Sequence, residues 1–310
     1  MTAPSFLLMG VVNVTPDSFS DGGRFLDPAA AIAYGRALVG EGADIVDVGG
    51  ESTRPGAAPV DEEEERRRVL PVVEGLVGAG ALVSVDTVKL EVARPALDAG
   101  AGYVNDVTAF RAAPGMAALV AERGATCCLM HMRGEPRTMQ DDPRYEDVVS
   151  EVKGFLEERL AFAVAEGVSE EKIHLDPGIG FGKTAAHNLE LLRRLPELTA
   201  LGRPVVIGTS RKSFLGRIAS HPPRAVDARM PGTIATNVLA LAAGARVFRV
   251  HDVAPVRDAL TVAAALLAGA WEDVSLVATG DPPPAAIWPP PAPLSSSNHG
   301  ARRLRRRRGA

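Results

Sequence analysis

Eight short apolar runs recur along the chain, and each of them leads into polar or charged residues. The runs lie at about 6–12, 44–48, 81–85, 102–105, 125–130, 172–175, 204–208 and 245–250. Val, Ile and Leu dominate several runs without alternation, which is typical of parallel strands that are covered on both faces. Segments with helical patterns separate the runs. This alternation predicts a single α/β domain with the (β/α)8 fold, a TIM barrel.

Helix signals agree with this alternation. Asp27 followed by Pro28 is typical of a helix N-cap and first turn, and Asp61 is a second N-cap candidate. Pro95 lies inside the third helical segment and predicts a kink or a short helix. Further helices are expected at about 144–166, 186–200, 213–220, 232–243 and 254–269.

The composition divides the chain into two parts. With 310 residues and 46% hydrophobic content the chain can bury one large core. From residue 279 the sequence is rich in proline, then serine, then arginine. We therefore predict a barrel domain at 1–278 and a disordered tail at 279–310. Without the six arginines at 302–308, 28 basic residues face 38 acidic ones, a net charge of −10 that argues against nucleic acid as a partner of the barrel.

Cysteine usage and hydropathy bear on the compartment. Cys127 and Cys128 are consecutive, so on a strand they point to opposite faces and should not bond to each other. Two such cysteines indicate neither a disulfide framework nor a zinc site and favour the cytoplasm. The apolar run near the N-terminus has no basic region before it, so it indicates a first strand and not a signal peptide. No apolar stretch is long enough to span a bilayer, and no membrane partner is expected.

Chemically useful side chains follow every apolar run. In barrel enzymes the carboxyl ends of the strands surround one site, so these residues are expected to face a common opening. They are Asn13; Asp47, Thr53 and Arg54; Asp86; Asn105 and Asp106; His131; Asp176; Ser210, Arg211, Lys212 and Ser213; Arg249 and His251.

The stretch 173–183, IHLDPGIGFGK, is the clearest of these strand ends. Pro177 stops the strand, and three glycines let the backbone bend sharply and approach a ligand closely. Asp176 is thereby delivered to the mouth of a loop that can wrap something flat.

One subset of these residues predicts a buried polar pocket. A carboxylate meets an adjacent N–H and amino group through two parallel hydrogen bonds, and a 2-amino-4-oxo heterocycle presents that donor pair. The pocket would contain two acids, an amide and a cation: Asp86, Asn105, Asp176 and Lys212.

A second subset suits phosphate oxygens and a metal ion. Guanidinium and imidazole groups bind phosphate, and an amide oxygen is a hard ligand that Mg²⁺ accepts. The residues are Asn13, Arg54, Arg249 and His251. The loops 14–25 and 49–61, which follow the first two strands, are long and irregular, as lids and binding loops are.

Eight segments together resemble the dihydropteroate synthase family. They are MGVVNVTPDSFSDGG, DVGGESTRPGA, SVDT, NDVTAF, LMHMRGEPRTMQ, DPGIGFGKT, GTSRKSFLGR and FRVHDV, in the order of that family and spanning about residues 6 to 269. The first two and the SRKS segment are specific to the family. The DPG and ND elements are also similar to pterin-binding methyltransferase domains.

The resemblance implies a cytoplasmic, homodimeric (β/α)8 transferase with Mg²⁺ as cofactor. Its reaction joins p-aminobenzoate to the diphosphate ester of 6-hydroxymethyl-7,8-dihydropterin and releases pyrophosphate. The resemblance implies that the pterin is held by Asp86, Asn105, Asp176 and Lys212. It implies that pyrophosphate is held by Thr53, Arg54, Arg249 and His251, with Mg²⁺ near Asn13. It implies that p-aminobenzoate is held by Arg54, Pro55, Phe181, Lys212 and Ser213. The residues expected to act in catalysis are Asp86, Lys212, Arg249 and His251.

Three other hypotheses remain at this point. A pterin-binding methyltransferase module would not need the TPDSFSDGG loop or the SRKS segment. A synthase-like paralogue would bind a pterin but would have lost catalysis. A nucleic-acid-binding protein is supported only by the arginines of the tail.

Overall fold

The strands of the structure coincide with the apolar runs of the sequence. The computed structural model describes residues 5–15, 27–53 and 56–269. In these residues the strands are β1 Leu7–Asn13, β2 Ile45–Gly49, β3 Val83–Asp86, β4 Tyr103–Asp106, β5 Thr126–Met130, β6 Ile173–Asp176, β7 Val206–Ile207 and β8 Val247–Val250. Every predicted run overlaps one strand, and the ends differ by at most two residues. The predicted tail lies outside the described residues, and so does the predicted boundary at 278.

The eight strands are parallel and form a nearly closed barrel. Their order is β6-β5-β4-β3-β2-β1-β8-β7. Leu175 of β6 pairs in parallel with Val205, next to β7, so the two edges of the sheet meet. The backbone N–H of Leu175 also donates to the Pro204 carbonyl at 3.0 Å. The predicted (β/α)8 barrel is therefore confirmed, although β7 has two residues where five were predicted, because Pro204 cannot donate to the ladder and Gly208 interrupts the run.

Helices cover the outside of the barrel. Asp27 accepts a hydrogen bond from the Ala29 N–H and caps the first helix, and Asp61 accepts from the Glu64 N–H and caps the second, as predicted. None of the described helices is both long and apolar enough to cross a membrane. The helices are α1 Pro28–Gly40, α2 Glu62–Gly78, α3 Leu90–Asp98, α4 Gly115–Arg123, α5 Val148–Ala165, α6 Ala185–Arg193, α7 Leu195–Thr199, α8 Ser213–Ala219, α9 Met230–Ala242 and α10 Val253–Ala268.

Two helix predictions differ from the structure. The helix predicted at 186–200 is two helices, α6 and α7. Pro196 is at the start of α7, where it cannot donate the backbone hydrogen bond that would continue α6. The helix predicted at 144–166 begins only at Val148, because Asp147 caps it by accepting from the Val149 N–H at 3.0 Å. Pro95 lies inside α3, which is short, with nine residues, as expected.

The barrel interior is filled by an apolar layer below the polar strand ends. This layer consists of Met9, Ile45, Tyr103, Cys128, Val206 and Val247. Cys127, by contrast, belongs to the large core between the sheet and the helices. The two cysteines are free and face opposite sides of β5, which confirms the prediction made from their adjacency.

The two-residue period of a strand connects this layer to the polar residues above it. A side chain two positions further along a strand points to the same face. Ile45 is therefore followed on the inner face by Asp47, Tyr103 by Asn105, and Val247 by Arg249. The same rule places a ring of charged and amide groups at the carboxyl end of the barrel, directly above an apolar floor.

Candidate functional site

Ten of the twelve predicted site residues line two adjoining cavities at the carboxyl end of the barrel. The deeper cavity is lined by Thr53, Asp86, Asn105, Asp176, Phe181, Lys212, Arg249 and His251, among others. The outer cavity shares several of these residues and adds Asn13 and Ser213. Arg54, Pro55 and residues 16–26 lie outside the described residues, so the roles predicted for the two loops stay predictions.

Arg249 connects two acids from neighbouring strands. Its Nε donates to Asp47 Oδ2 at 2.6 Å, and its Nη2 donates to Asp86 Oδ2 at 2.7 Å. Asn105 Nδ2 donates to the same Asp47 oxygen at 3.2 Å. Asp47 is fully buried, so this group of four side chains is a rigid base for the deeper cavity. Arg249, predicted to face phosphate, is paired here with the acids of the pocket.

Burial and the neighbouring charges have opposite effects on the pKa values of Asp86 and Arg249. Burial raises the pKa of Asp86 to about 7, and the nearby Arg249 guanidinium opposes that rise. For Arg249 burial lowers the pKa, but Asp47 and Asp86 outweigh it and hold the pKa above its usual value. Acids whose pKa is raised by burial, in a cleft and beside a specific cation, are typical of functional sites.

Asp176 ends β6 at the entrance to the glycine-rich loop. The Gly178 N–H donates to its Oδ1 at 2.6 Å. Burial raises the pKa of Asp176 to about 6, against the Gly178 hydrogen bond and the charges of Lys212 and Lys183. A carboxylate accepts several hydrogen bonds, so Asp176 retains acceptor capacity for a ligand in the cavity.

Close packing explains two glycines of this loop. A Cβ on Gly178 would lie 1.9 Å from the His131 carbonyl oxygen, and one on Gly182 would lie 2.4 Å from the Arg133 carbonyl oxygen. Both glycines also have φ near +60°, a conformation that other residues rarely adopt. The loop that follows β6 is thereby held directly against the segment that follows β5.

Lys212 and Phe181 form a stacked pair between the two cavities. The Lys212 ammonium lies 4.2 Å from the centroid of the Phe181 ring, within the range of a cation–π interaction. Lys212 is the N-cap residue of α8, which begins at Ser213 as predicted. The pair combines a flat apolar wall with a positive charge beside it.

The remaining rim comes from the segments that follow β7 and β8. His251 Nδ1 lies 3.0 Å from Ser210 Oγ, and the His251 backbone N–H donates to the same oxygen at 3.2 Å. Arg211 has a positive φ of 59° and pairs with Asp252. These contacts join the segments after the neighbouring strands β7 and β8, and His251 lines both cavities.

Metal binding is limited to a few ligands. No group of three His, Cys, Asp or Glu side chains converges on a metal position within residues 5–15, 27–53 and 56–269. Asn13, at the end of β1, lines the outer cavity and offers an amide oxygen. Mg²⁺ typically takes one or two protein ligands together with water and substrate phosphate, so a single Asn fits it and would not fit zinc.

Several residues of the site were not assigned a role from the sequence. The sequence places Asp47 at the end of a strand. It does not predict the pair that Asp47 forms with Arg249, which is 202 residues away in the chain. His131 and Lys183 form a buried contact, at 2.9 Å between Lys183 Nζ and His131 Nδ1, and Lys183 also lines the outer cavity. The local sequence pattern indicates that such residues lie at strand ends. It does not indicate which distant side chain each of them contacts.

Comparisons with known proteins agree with the geometry. The family described as pterin binding enzyme matches residues 9–251. The dihydropteroate synthase of Mycobacterium leprae is 50% identical over 268 residues, which cover 85% of this chain and 93% of the relative.

Two solved structures from Xanthomonas albilineans have the same architecture. Its dihydropteroate synthase with 4-aminobenzoic acid is 48% identical, with a TM-score of 0.79 over 86% of this chain and 95% of that one. The same organism's enzyme in complex with 7,8-dihydropteroate is 45% identical, with a TM-score of 0.76 over 86% and 96%. Because these matches span most of the chain at nearly half identity, this chain belongs to the dihydropteroate synthase family of pterin-binding enzymes.

Proposed function

We propose that this protein condenses the diphosphate ester of 6-hydroxymethyl-7,8-dihydropterin with p-aminobenzoate, giving 7,8-dihydropteroate and pyrophosphate. The observation that carries the proposal is Asp176, a buried carboxyl at the base of a glycine-rich loop, beside the Lys212–Phe181 pair. One cavity thus offers a hydrogen-bonding edge for a flat heterocycle and a wall for a second ring. Members of this family are transferases, and this chain is an enzyme of that class.

The pterin would occupy the deeper cavity. Asp176 would accept from the ring N–H and the 2-amino group, through the two parallel bonds that a carboxylate makes with such a pair. Asp86 and Asn105, on neighbouring strands, would meet another polar edge of the ring. Lys212 would lie beside the pterin as the cation of the pocket.

The p-aminobenzoate would lie in the outer cavity against the Phe181 ring. Lys212 and Ser213 both line that cavity and offer partners for its carboxylate. Arg54 and Pro55 complete this group in the proposal, on the strength of the family resemblance. The Xanthomonas albilineans relative was solved with 4-aminobenzoic acid, which supports a site for this compound in the fold.

The diphosphate would lie between the two ring sites, near Thr53, Arg249 and His251, with Arg54 from the second loop. Mg²⁺ would be held by Asn13 together with oxygens of the substrate. When bound, the ion would neutralise charge on the diphosphate. The protein's own residues then have to bind, orient and screen the substrates.

The reaction needs no side-chain nucleophile. The arylamine nitrogen attacks the methylene carbon of the pterin, and the carbon–oxygen bond breaks as pyrophosphate leaves with the electron pair. The arylamine proton is lost once the new carbon–nitrogen bond has formed. Lys212, Arg249 and His251 would stabilise the charge that develops on the leaving group, and Asp86 and Asp176 would hold the pterin in line.

We further propose a cytoplasmic homodimer that pairs through α9 and α10. These helices pack against each other, and both expose large apolar side chains. Leu239 on α9 is 69% exposed, and Val262 and Leu266 on α10 are 62% and 66% exposed. Val262 and Leu266 are four residues apart and share one helix face. The family resemblance implies a homodimer, and a second copy of the chain is the partner that we propose for this surface.

A coupled assay of pyrophosphate release tests the proposed reaction. Release is expected only when the pterin diphosphate, p-aminobenzoate and Mg²⁺ are all present, and omission of any one should abolish it. Pterin binding without release would indicate an inactive paralogue. Release that does not depend on p-aminobenzoate would indicate hydrolysis, and absence of pterin binding would contradict the proposal altogether.

A further inference from the structure

Lys183 is a buried amine with three neighbours that can accept a hydrogen bond, and burial lowers its pKa to about 7. Its side chain belongs to a residue that is only 2% exposed. Its Nζ lies 2.9 Å from His131 Nδ1, 3.0 Å from the Phe181 carbonyl oxygen and 3.4 Å from the His131 carbonyl oxygen. Burial of an ammonium group is costly unless it is fully hydrogen-bonded, so these contacts are specific requirements of the site.

His131 accepts from Lys183 in this arrangement. Burial, together with the nearby Lys183 charge, lowers the pKa of His131 to about 2. The imidazole is therefore neutral, and a neutral ring has one nitrogen that accepts a hydrogen bond. Protonated Lys183 Nζ has only donors, so in that state the contact at 2.9 Å assigns the acceptor role to Nδ1.

The contacts of Lys183 are part of a row along the glycine-rich loop. Three successive carbonyl oxygens each accept from a side chain: Gly180 from Gln140 Nε2 at 2.7 Å, Phe181 from Lys183 Nζ at 3.0 Å, and Gly182 from the Tyr145 hydroxyl at 2.9 Å. The donors for Gly180 and Gly182 are neutral, and the central donor is an amine that can carry a positive charge. The central carbonyl belongs to the residue whose ring stacks under Lys212.

We propose that Lys183 is a positioning residue that fixes the Phe181 ring against Lys212 and thereby sets the affinity for the arylamine substrate. The proposal rests on the proposed function, in which Phe181 is the wall of the p-aminobenzoate site. Lys183 joins the end of β5 to the loop after β6 through a single atom. A neutral side chain of similar length would fill the space but would leave the Phe181 carbonyl and His131 Nδ1 without their donor.

The primary test is Lys183→Met, with p-aminobenzoate and pterin measured separately. We expect KM for p-aminobenzoate to rise about tenfold, as for the loss of one charge-assisted hydrogen bond. The turnover number should change less than threefold and pterin affinity less than twofold, because the hydrogen bonds of Lys183 go to His131 and Phe181 and not to Asp86, Asn105 or Asp176. Lys153→Met is the matched control, since Lys153 is on the exposed side of α5 and should leave all three quantities unchanged.

Two variants of His131 test the same contact from its other side. His131→Leu removes the acceptor and should raise KM for p-aminobenzoate in the same direction as Lys183→Met. His131→Asn keeps an acceptor and should remain closer to wild type. In the double variant Lys183→Met with His131→Leu, the rise should be smaller than the product of the single effects, because both remove one contact.

The result that would overturn the proposal is an unchanged KM for p-aminobenzoate in folded Lys183→Met. An equal loss of pterin and p-aminobenzoate affinity would also overturn it, because that would indicate general disruption of the site. Should Lys183→Met fail to fold, His131→Leu decides by the same criteria. Wild-type turnover is measured first, and its absence contradicts the proposed function. In that case equilibrium titration of p-aminobenzoate decides the inference about Lys183. The inference fails if the variants bind p-aminobenzoate as the wild type does, or if the wild type does not bind p-aminobenzoate.

Discussion

At the scale of single residues, Asp176 is the side chain on which recognition of the pterin depends most. Its carboxyl group is buried, is held by the Gly178 N–H, and faces the deeper cavity. We predict that Asp176→Asn weakens pterin binding by about 2–4 kcal/mol while the fold stays intact, because a charge-assisted pair of hydrogen bonds is lost. Calorimetric titration measures this directly. Asp98→Asn, an exposed acid paired with Arg123, is the matched control and should bind the pterin as the wild type does. Unchanged binding in Asp176→Asn would mean that this acid does not face the ligand.

The raised pKa of Asp176 adds a pH dependence. Below its pKa of about 6 the carboxyl of the free protein is neutral, and it can no longer accept both hydrogen bonds from the pterin. The ratio of the pterin affinity of the wild type to that of Asp176→Asn should therefore decrease up to tenfold for each pH unit below pH 6. Above pH 6 this ratio should be constant. Dividing by the variant's affinity removes the titration of the ligand itself. An advantage that stays constant between pH 5 and 8 would contradict this prediction.

Residue identity was predictable at the strand ends, but residue pairing was not. The apolar runs indicated where strands end, and this placed Asp86, Asn105 and Asp176 correctly around one opening. The pairs depend on closure of the barrel, which joins positions far apart in the chain. Asp47 and Arg249 are 202 residues apart, and His131 and Lys183 are 52 apart. No local pattern carries that information.

At the scale of elements, a buried ionic cluster joins the base of the second loop to α2 and to the start of α3. Lys89 Nζ pairs with the carboxylates of Glu51 and Glu65 and donates to the Val60 carbonyl at 2.8 Å. Glu65 is 1% exposed, and burial raises its pKa even though Lys89 opposes the rise. One cation therefore fixes both ends of the described part of this loop.

We predict that Lys89→Met lowers the free energy of unfolding by about 3–5 kcal/mol, because it leaves a buried carboxylate without its partner. Chemical denaturation measures the loss. Arg67→Met is the control: Arg67 pairs with Glu64 on an exposed face, and its loss should leave the free energy of unfolding nearly unchanged. A loss below 1 kcal/mol in Lys89→Met would show that the cluster does not hold these elements together.

Element boundaries were predictable where a cap residue signals them. Asp27 and Asp61 begin α1 and α2 as the sequence indicated. The single helix expected at 186–200 was wrong because Pro196 starts α7, and the periodicity of apolar residues continues across the break. The apolar run at 204–208 predicted a longer strand than the observed β7, because Pro204 and Gly208 at its two ends do not continue the strand.

At the scale of the whole molecule, the exposed apolar residues of α9 and α10 predict a dimer. Replacing Leu266 by Glu should dissociate the dimer. The substitution would place a charge in an apolar interface and would remove the burial of a leucine, which stabilises by about 1.5–3 kcal/mol. Sedimentation velocity at micromolar concentration measures the change. Leu82→Glu, at an exposed leucine that directly precedes β3, should remain dimeric. A monomeric wild type, or a dimeric Leu266→Glu, would contradict the proposed interface.

The central claim is that one barrel opening joins a pterin to an arylamine with loss of pyrophosphate. The most direct test is the stoichiometry of the two products in a single reaction, with 7,8-dihydropteroate measured by liquid chromatography and mass spectrometry and pyrophosphate by an enzyme-coupled assay. The proposal predicts equal amounts of both from the wild-type protein and neither from a reaction without p-aminobenzoate. Pyrophosphate in excess of dihydropteroate, or the absence of dihydropteroate, would contradict it.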